Sequence, residues 1–304
     1  MSSFRQNHPI LLGLFILTGI FLFFLGGVSL LVYSFFSDRA ETDLFAGKEG
    51  VGIVELKGLI VTSEQILKHL TEFRNNPDVK SIVLRIDSPG GAVGAAQEIY
   101  EEVMRTNEVK PVIASMGSMG ASGGYYAALG AEKIIANPGT MTGSIGVIVK
   151  FPNLQGLFDK IGYKNQVVKS GPLKDVGASN RPLTDEERKL LQDLIDNVYG
   201  QFVQDVASAR GMDEDTVRRL ADGRVYTGEQ ALAAGLIDKL GNFTDAITLA
   251  ADMGGLDDKN PRLIYPREDR KFSLLNLLTS AKQSLVDNLA PLYPILSFEW
   301  NGVQ

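Results

Sequence analysis

The chain of 304 residues has no cysteine. That excludes a disulfide framework and thiolate chemistry. Histidine is almost as scarce, with only His8 and His69, so the usual general base of serine enzymes is poorly supplied. Positive charge is short as well. The 30 Lys and Arg face 36 Asp and Glu, a net charge of −6. A nucleic-acid partner requires a basic footprint, and this balance argues against one. No internal repeat or low-complexity run is found. The apolar fraction of 44% is that of an ordinary globular chain, long enough for one large domain or two small ones.

Charge is missing altogether from residues 10–36. As a helix this stretch reaches roughly 40 Å, more than the ~30 Å hydrocarbon core of a bilayer. It exceeds the about 7–15 apolar residues of a signal peptide, and no A-x-A site follows it. It reads as an uncleaved transmembrane anchor, with a long cleaved signal peptide as the alternative. Arg5 and the terminal amine precede it, while Asp38, Arg39, Glu41 and Asp43 follow. The positive-inside rule then puts residues 1–9 in the cytoplasm and the rest on the outer, periplasmic side of the cytoplasmic membrane. Residues 37–50 read as a tether, 51–260 as the folded domain, and 261–304 as a C-terminal extension without an assigned role.

Short apolar runs alternate with helical periodicity along the domain. Strands are expected at 51–56, 81–86, 111–115, 133–136, 145–149 and 166–168. Helices are expected at 64–74, 95–105, 122–129 and 154–161. This pattern predicts an α/β domain with a mostly parallel sheet. A long helix follows over 185–209, opened by a capping box at Thr184 and Glu187. Its buried stripe is predicted to be Leu190, Leu191, Leu194, Ile195, Val198, Phe202 and Val206. Shorter helices are expected at 213–221, 228–234 and 242–253. A last strand is predicted at 262–265, an amphipathic helix at 273–289, and an apolar aromatic stretch at 291–300.

Two strand ends are rich in glycine, Asp87-Ser88-Pro89-Gly90-Gly91 and Gly117-Ser118-Met119-Gly120-Ala121-Ser122-Gly123-Gly124. Glycine permits backbone angles that turn N–H groups toward a ligand. Sites in parallel α/β sheets collect at the carboxyl ends of strands. Ser122 opens an apolar helix, where free N–H groups serve as oxyanion donors. A plain N-cap is the alternative for Ser122. As a nucleophile it needs a base. His8 precedes the membrane segment, and His69 reads as a half-buried structural residue. A lysine serves only when desolvated, its reference pKa being about 10.4. Lys174 follows the turn Ser170-Gly171-Pro172-Leu173, and a solvated surface charge is its alternative reading.

Residues 86–91, 120–126, 142–146, 170–175 and 221–228 together resemble the motif set of bacterial signal peptide peptidase A in its short, single-domain form. The resemblance covers about residues 50–253. It implies a crotonase-like or Clp-protease-like β-β-α superhelix and a Ser/Lys dyad, which falls on Ser122 and Lys174. It implies a lysine-orienting serine at Ser144. An oxyanion hole is then expected at the N–H groups of Gly91 and Gly123. The implied reaction is endoproteolysis of remnant signal peptides and other apolar peptides, without metal or cofactor. A ring-like homo-oligomer is also implied, with serine and lysine contributed by neighbouring protomers. Competing readings are a membrane peptidase acting on a partner protein, a non-proteolytic crotonase-like acyl-binding protein, and an inactive membrane scaffold.

Overall fold

The computed structural model describes residues 15, 17–29, 49–258, 260–266 and 297–299. The chain divides into a unit spanning Met1–Lys48 and a unit spanning Glu49–Gln304. In the first, residues 17–29 are helical, with Phe21, Phe23 and Phe24 well exposed. No helix among the described residues is long and apolar enough to cross a membrane. The anchor expected over 10–36 and the helix expected over 273–289 lie partly or wholly outside the described residues.

The second unit is built on parallel strands. Strands β1 (Gly50–Lys57), β2 (Val79–Ser88) and β4 (Val112–Ala121) form its centre. Between them run helices α1 (Glu64–Asn75) and α2 (Val93–Asn107). A short strand β3 (Gly90–Ala92) leaves the sheet just after β2. Helix α3 (Gly123–Ala128) follows β4. The lower half of β4 pairs with β5 (Lys133–Ala136), and its Gly-rich upper half pairs with β6 (Met141–Gly143). Helix α4 (Gln155–Ile161) is short, and α5 (Asp185–Arg210) is the longest helix among the described residues of this unit. The remaining elements are α6 (Glu214–Leu220), β7 (Val225–Thr227), α7 (Gly228–Ala233), β8 (Lys239–Leu240), α8 (Phe243–Met253), β9 (Arg262–Ile264) and β10 (Ser297–Glu299). The eight-stranded sheet runs β7-β6-β4-β2-β1-β9, with β5 beside β4 and β8 beside β5. It is mixed, because β7 runs antiparallel to β6.

Strand alternation sorts the core onto both faces of the sheet. Val51, Ile53, Val83, Ile113 and Ile135 pack with Ala246, Ala250 and Ala251 of α8. Val54, Leu56, Ile82, Leu84, Ile86, Ala114 and Met116 face the other way, toward α1, α2, α3 and α5. Each fully buried aliphatic side chain contributes about 1.5–3 kcal/mol.

Several sequence expectations change. No strand forms over 145–149, where Ile148 makes a single antiparallel bridge to Ser297. The strand lies earlier, at Met141–Gly143, because that segment reaches the free edge of upper β4. Residues 166–168 are not a strand either. Among the described residues no strand pairs with them, and Val168 is fully exposed. The predicted stripe of the long helix is buried only in its second half, at Val198, Phe202 and Val206. Leu190 and Leu194 are about half exposed.

Candidate active site

The carboxyl ends of β2, β4 and β6 meet where the glycines cluster. After β2, Ser88 Oγ donates to the Gly58 carbonyl at 2.6 Å and accepts from the Gly90 amide at 3.1 Å. This fixes the turn into β3. On one side β3 is tied to Ile60, whose amide donates to the Gly90 carbonyl at 2.8 Å and whose carbonyl accepts from Ala92 at 2.7 Å. The N–H and carbonyl of Gly91 therefore face the opposite side. A side chain at Gly91 is excluded, since a Cβ there would lie 2.0 Å from the Ile60 carbonyl oxygen.

Upper β4 is held by three side chains. Thr140 and Thr142 donate to the carbonyls of Gly117 and Gly120 at 2.6 and 2.7 Å. Asp87 accepts from the Met119 amide at 3.1 Å. The strand ends in register with β6, Ala121 opposite Gly143. At the next residue the chain turns into α3. Ser122 has φ 52° and ψ −115°, a backbone state that costs an L-residue on the order of 1–3 kcal/mol. Its amide donates to the Gly143 carbonyl at 2.7 Å, and its carbonyl accepts from Tyr126 at 2.8 Å. The residue is 1% exposed. A sharp strand-to-helix turn that presents a serine is a known nucleophile geometry.

Ser144 stands beside it at the end of β6, with φ 51°. Its amide donates to the Arg224 carbonyl at 2.8 Å. Gly123 lies against β3, since a Cβ on Gly123 would come within 3.1 Å of the Gly91 nitrogen. The structure thus brings Ser122, Ser144, Gly91 and Gly123 together.

It does not bring Lys174 to them within one chain. Lys174 is exposed, in a 3₁₀ turn spanning Pro172–Asp175. Among the described residues no hydrogen bond joins it to Ser122. The loop around it is nonetheless pinned. Asp175 binds Lys169 at 2.5 Å and Arg181 at 3.0 Å, and Arg181 reaches Glu187 at 2.5 Å. The hydrogen bond from Lys169, then Arg181, holds the Asp175 carboxyl below its ordinary range. Arg181, with the Thr184 amide, holds Glu187 down to about 2. His69 is half-buried on α1, and His8 lies outside the described residues.

Sequence reasoning missed an aromatic cluster next to Ser122. One turn along α3, Tyr126 stacks on Phe298 at 5.0 Å between ring centres, and Phe202 of α5 closes on Phe298 at 4.6 Å. The Tyr126 hydroxyl donates to Asp205. The adjacent Tyr125-Tyr126 pair, placed one turn after Ser122, was the available signal.

Residues 104–257 match the model of peptidase family S49, and residues 57–142 match that of Clp protease. The "Putative protease slr0021" of Synechocystis sp. is 43% identical over 80% of this chain and 88% of its own length. The chain belongs to peptidase family S49. Its fold is a Clp-protease-like α/β fold with a mixed sheet, and its class is that of a serine-type peptidase, a hydrolase. The "Putative signal peptide peptidase SppA" of Enterococcus faecium is 35% identical, over 72% of this chain and 61% of that protein. "Protease 4" of Salmonella typhi is 38% identical, over 64% of this chain and 32% of that protein. The match therefore spans about a third of the length of that S49 relative.

Proposed function

We propose that this S49 peptidase is a membrane-anchored endopeptidase that uses a Ser/Lys dyad on remnant signal peptides and other apolar, unstructured peptides. The carrying observation is the backbone of Ser122. A serine held at positive φ, nearly buried and flanked by glycines, is strain without structural benefit unless the side chain reacts. In this reading Ser122 Oγ attacks the peptide carbonyl while Lys174 Nζ takes its proton. The N–H groups of Gly91 and Gly123 receive the developing oxyanion. Lys174 then protonates the leaving amine, and the same nitrogen activates the water that hydrolyses the acyl-enzyme. The Ser144 hydroxyl directs the lysine.

Lys174 comes from a neighbouring protomer in this proposal, within a homo-oligomeric ring. Two features support that. The segment carrying Lys174 also carries exposed Leu157, Ile161, Tyr163, Val167 and Val168, and uncovered Leu190 and Leu194 lie on the following helix. Apolar surface of this kind favours an interface. Ser144 also lines an open cavity of about 400 Å³ with Ile148, Ile195, Asp196 and Tyr199, a route for an incoming lysine. The uncharged run over 10–36 would hold the site against the outer face of the cytoplasmic membrane.

The test is cleavage of an unstructured apolar peptide by the purified full chain in detergent, beside Ser122→Ala and Lys174→Ala. Both variants are expected to be inactive with assembly intact. Mixing them under subunit exchange should restore part of the activity. Full activity in Lys174→Ala would remove the dyad reading. No recovery after verified exchange would place both groups in one protomer.

A further inference from the structure

Asp87 lies one strand away from Ser122, yet it binds both halves of the site. Its main-chain carbonyl accepts from the Gly58 amide at 3.0 Å, near the end of the strand that leads to Gly90 and Gly91. Its side chain crosses to β4, where Oδ1 accepts from the Met119 amide at 3.1 Å.

That amide belongs to a bulge. Between the pairs Ile86–Met116 and Ser88–Gly120, β2 advances two residues while β4 advances four. Gly117, Ser118 and Met119 therefore lie opposite Asp87 alone. A bulge displaces everything that follows it along the strand, and bulges beside active sites re-aim a side chain in this way. Here the displacement brings Ser122 level with Gly90, where an unbroken ladder would put Gly120. The closeness is plain in the backbone, since a Cβ on Gly90 would lie 2.6 Å from the Gly123 nitrogen.

The bulge is shaped around the carboxylate. A Cβ on Gly117 would lie 3.1 Å from Asp87 Oδ2 and 3.1 Å from a guanidinium nitrogen of Arg85. Arg85 is itself held, donating to Ser115 Oγ at 2.9 Å and lying 5.1 Å from the centre of the Phe243 ring. Thr140 donates to the Gly117 carbonyl at 2.6 Å, and Asn137 to the Met116 carbonyl at 3.4 Å. Those two bonds tie the bulge to the loop before β6. Of these side chains, Asp87 is the one that ties it to the strand of the oxyanion edge.

We infer that Asp87 is a positioning residue for the peptidase reaction. As the acceptor for Met119 it holds the β4 bulge, and so sets Ser122 and the Gly123 amide against Gly91. The inference rests on the proposed roles of Ser122, Gly91 and Gly123. Asp87 acts through Met119 and does not touch the reacting atoms.

The test uses the purified full chain in detergent. Its readouts are cleavage of an unstructured apolar peptide and the rate of acylation by a fluorophosphonate. Asp87→Ala is expected to lower kcat and the acylation rate together by about 10²-fold, with KM within about twofold of the parent, because a misplacement of about 1 Å has that cost. Asp87→Asn keeps an acceptor oxygen for Met119 and should recover most of the loss. Asp87→Glu keeps the charge but carries it one methylene further out, and should not. Parent-like kcat in a folded Asp87→Ala would overturn the inference, as would an asparagine no better than alanine. If Asp87→Ala fails to fold, Asp87→Glu decides, and parent-like kcat there overturns it. A parent chain that the fluorophosphonate does not label would overturn the nucleophile assignment itself, whereas labelling of Asp87→Ala at the parent rate removes only the role of Asp87.

Discussion

The amide of Ser122 donates to the carbonyl of Gly143 at 2.7 Å, so the turn that carries Ser122 is tied to the residue preceding Ser144. The two serines are matched in place and in conformation. Each follows the last paired residue of its strand, Ala121 or Gly143, and each has positive φ, 52° and 51°. Parallel pairing of β4 and β6 is what sets their spacing. The proposed nucleophile and its proposed orienting hydroxyl are thus placed by backbone, before any side chain chooses a rotamer.

Replacing Ser122 separates chemistry from strain. Ser122→Ala should lower kcat by about 10³-fold or more. Ser122→Gly should be equally inactive yet about 1 kcal/mol more stable than Ser122→Ala, because relief of the unfavourable φ and ψ outweighs the larger conformational entropy that glycine loses on folding. Denaturant unfolding of the two variants checks this. Equal stabilities would mean that the turn stores no strain.

Gly91→Ala tests the oxyanion edge. Its Cβ would collide with the Ile60 carbonyl and shift β3 relative to Gly123. A fall in kcat of about 10²-fold or more is expected, while the melting temperature reports how much of the fold is disturbed. A variant that folds and keeps its kcat would remove Gly91 from the machinery.

Acid should loosen the loop that carries Lys174. Glu187 has its folded pKa lowered to about 2 from a reference of 4.5. A depressed carboxyl stabilises the fold fully above its unfolded value, and that contribution is lost as pH falls through the folded value. Arg181 stays charged throughout, its own pKa being raised by the same hydrogen bond. The melting temperature of the parent should therefore exceed that of Glu187→Gln above about pH 4.5. The gap should close between about pH 4.5 and 2. A gap independent of pH would show that the ion pair is not the cause.

Tyr126→Phe keeps the ring on Phe298 but removes the donor to Asp205. Burial raises the Asp205 pKa, and the tyrosine hydrogen bond partly offsets that rise. Losing the bond should cost about 1–2 kcal/mol. With its pKa raised further, Asp205 favours the fold only while protonated, so the variant should suffer more at pH 7 than at pH 4. Thermal melts across that range measure the difference.

Local chemistry made much of the chain legible. The short apolar run at 51–56 and the i, i+3, i+4 spacing at Ile66, Leu67 and Leu70 predict β1 and α1, because such local apolar patterning is read without knowledge of the partner. Thr184 and Glu187 mark the start of α5, since a capping box is made within one turn. Glycine pairs at Gly90-Gly91 and Gly123-Gly124 marked the site, because only glycine lets backbone amides approach so closely. Pairing partners were not legible. Residues 145–149 and 166–168 have strand-like composition but form no strand, and Leu190 and Leu194 have helical spacing yet stay about half exposed among the described residues. The sequence by itself determined the α/β class, the glycine-framed serine and the capped helix, all set by interactions a few residues apart. Only the tertiary structure decided that Ser122 and Ser144 stand side by side, that Lys174 is exposed in a 3₁₀ turn, and that Phe298 lies against Gly91. Each of those depends on hydrogen bonds and packing between segments distant along the chain, whose register no local pattern encodes.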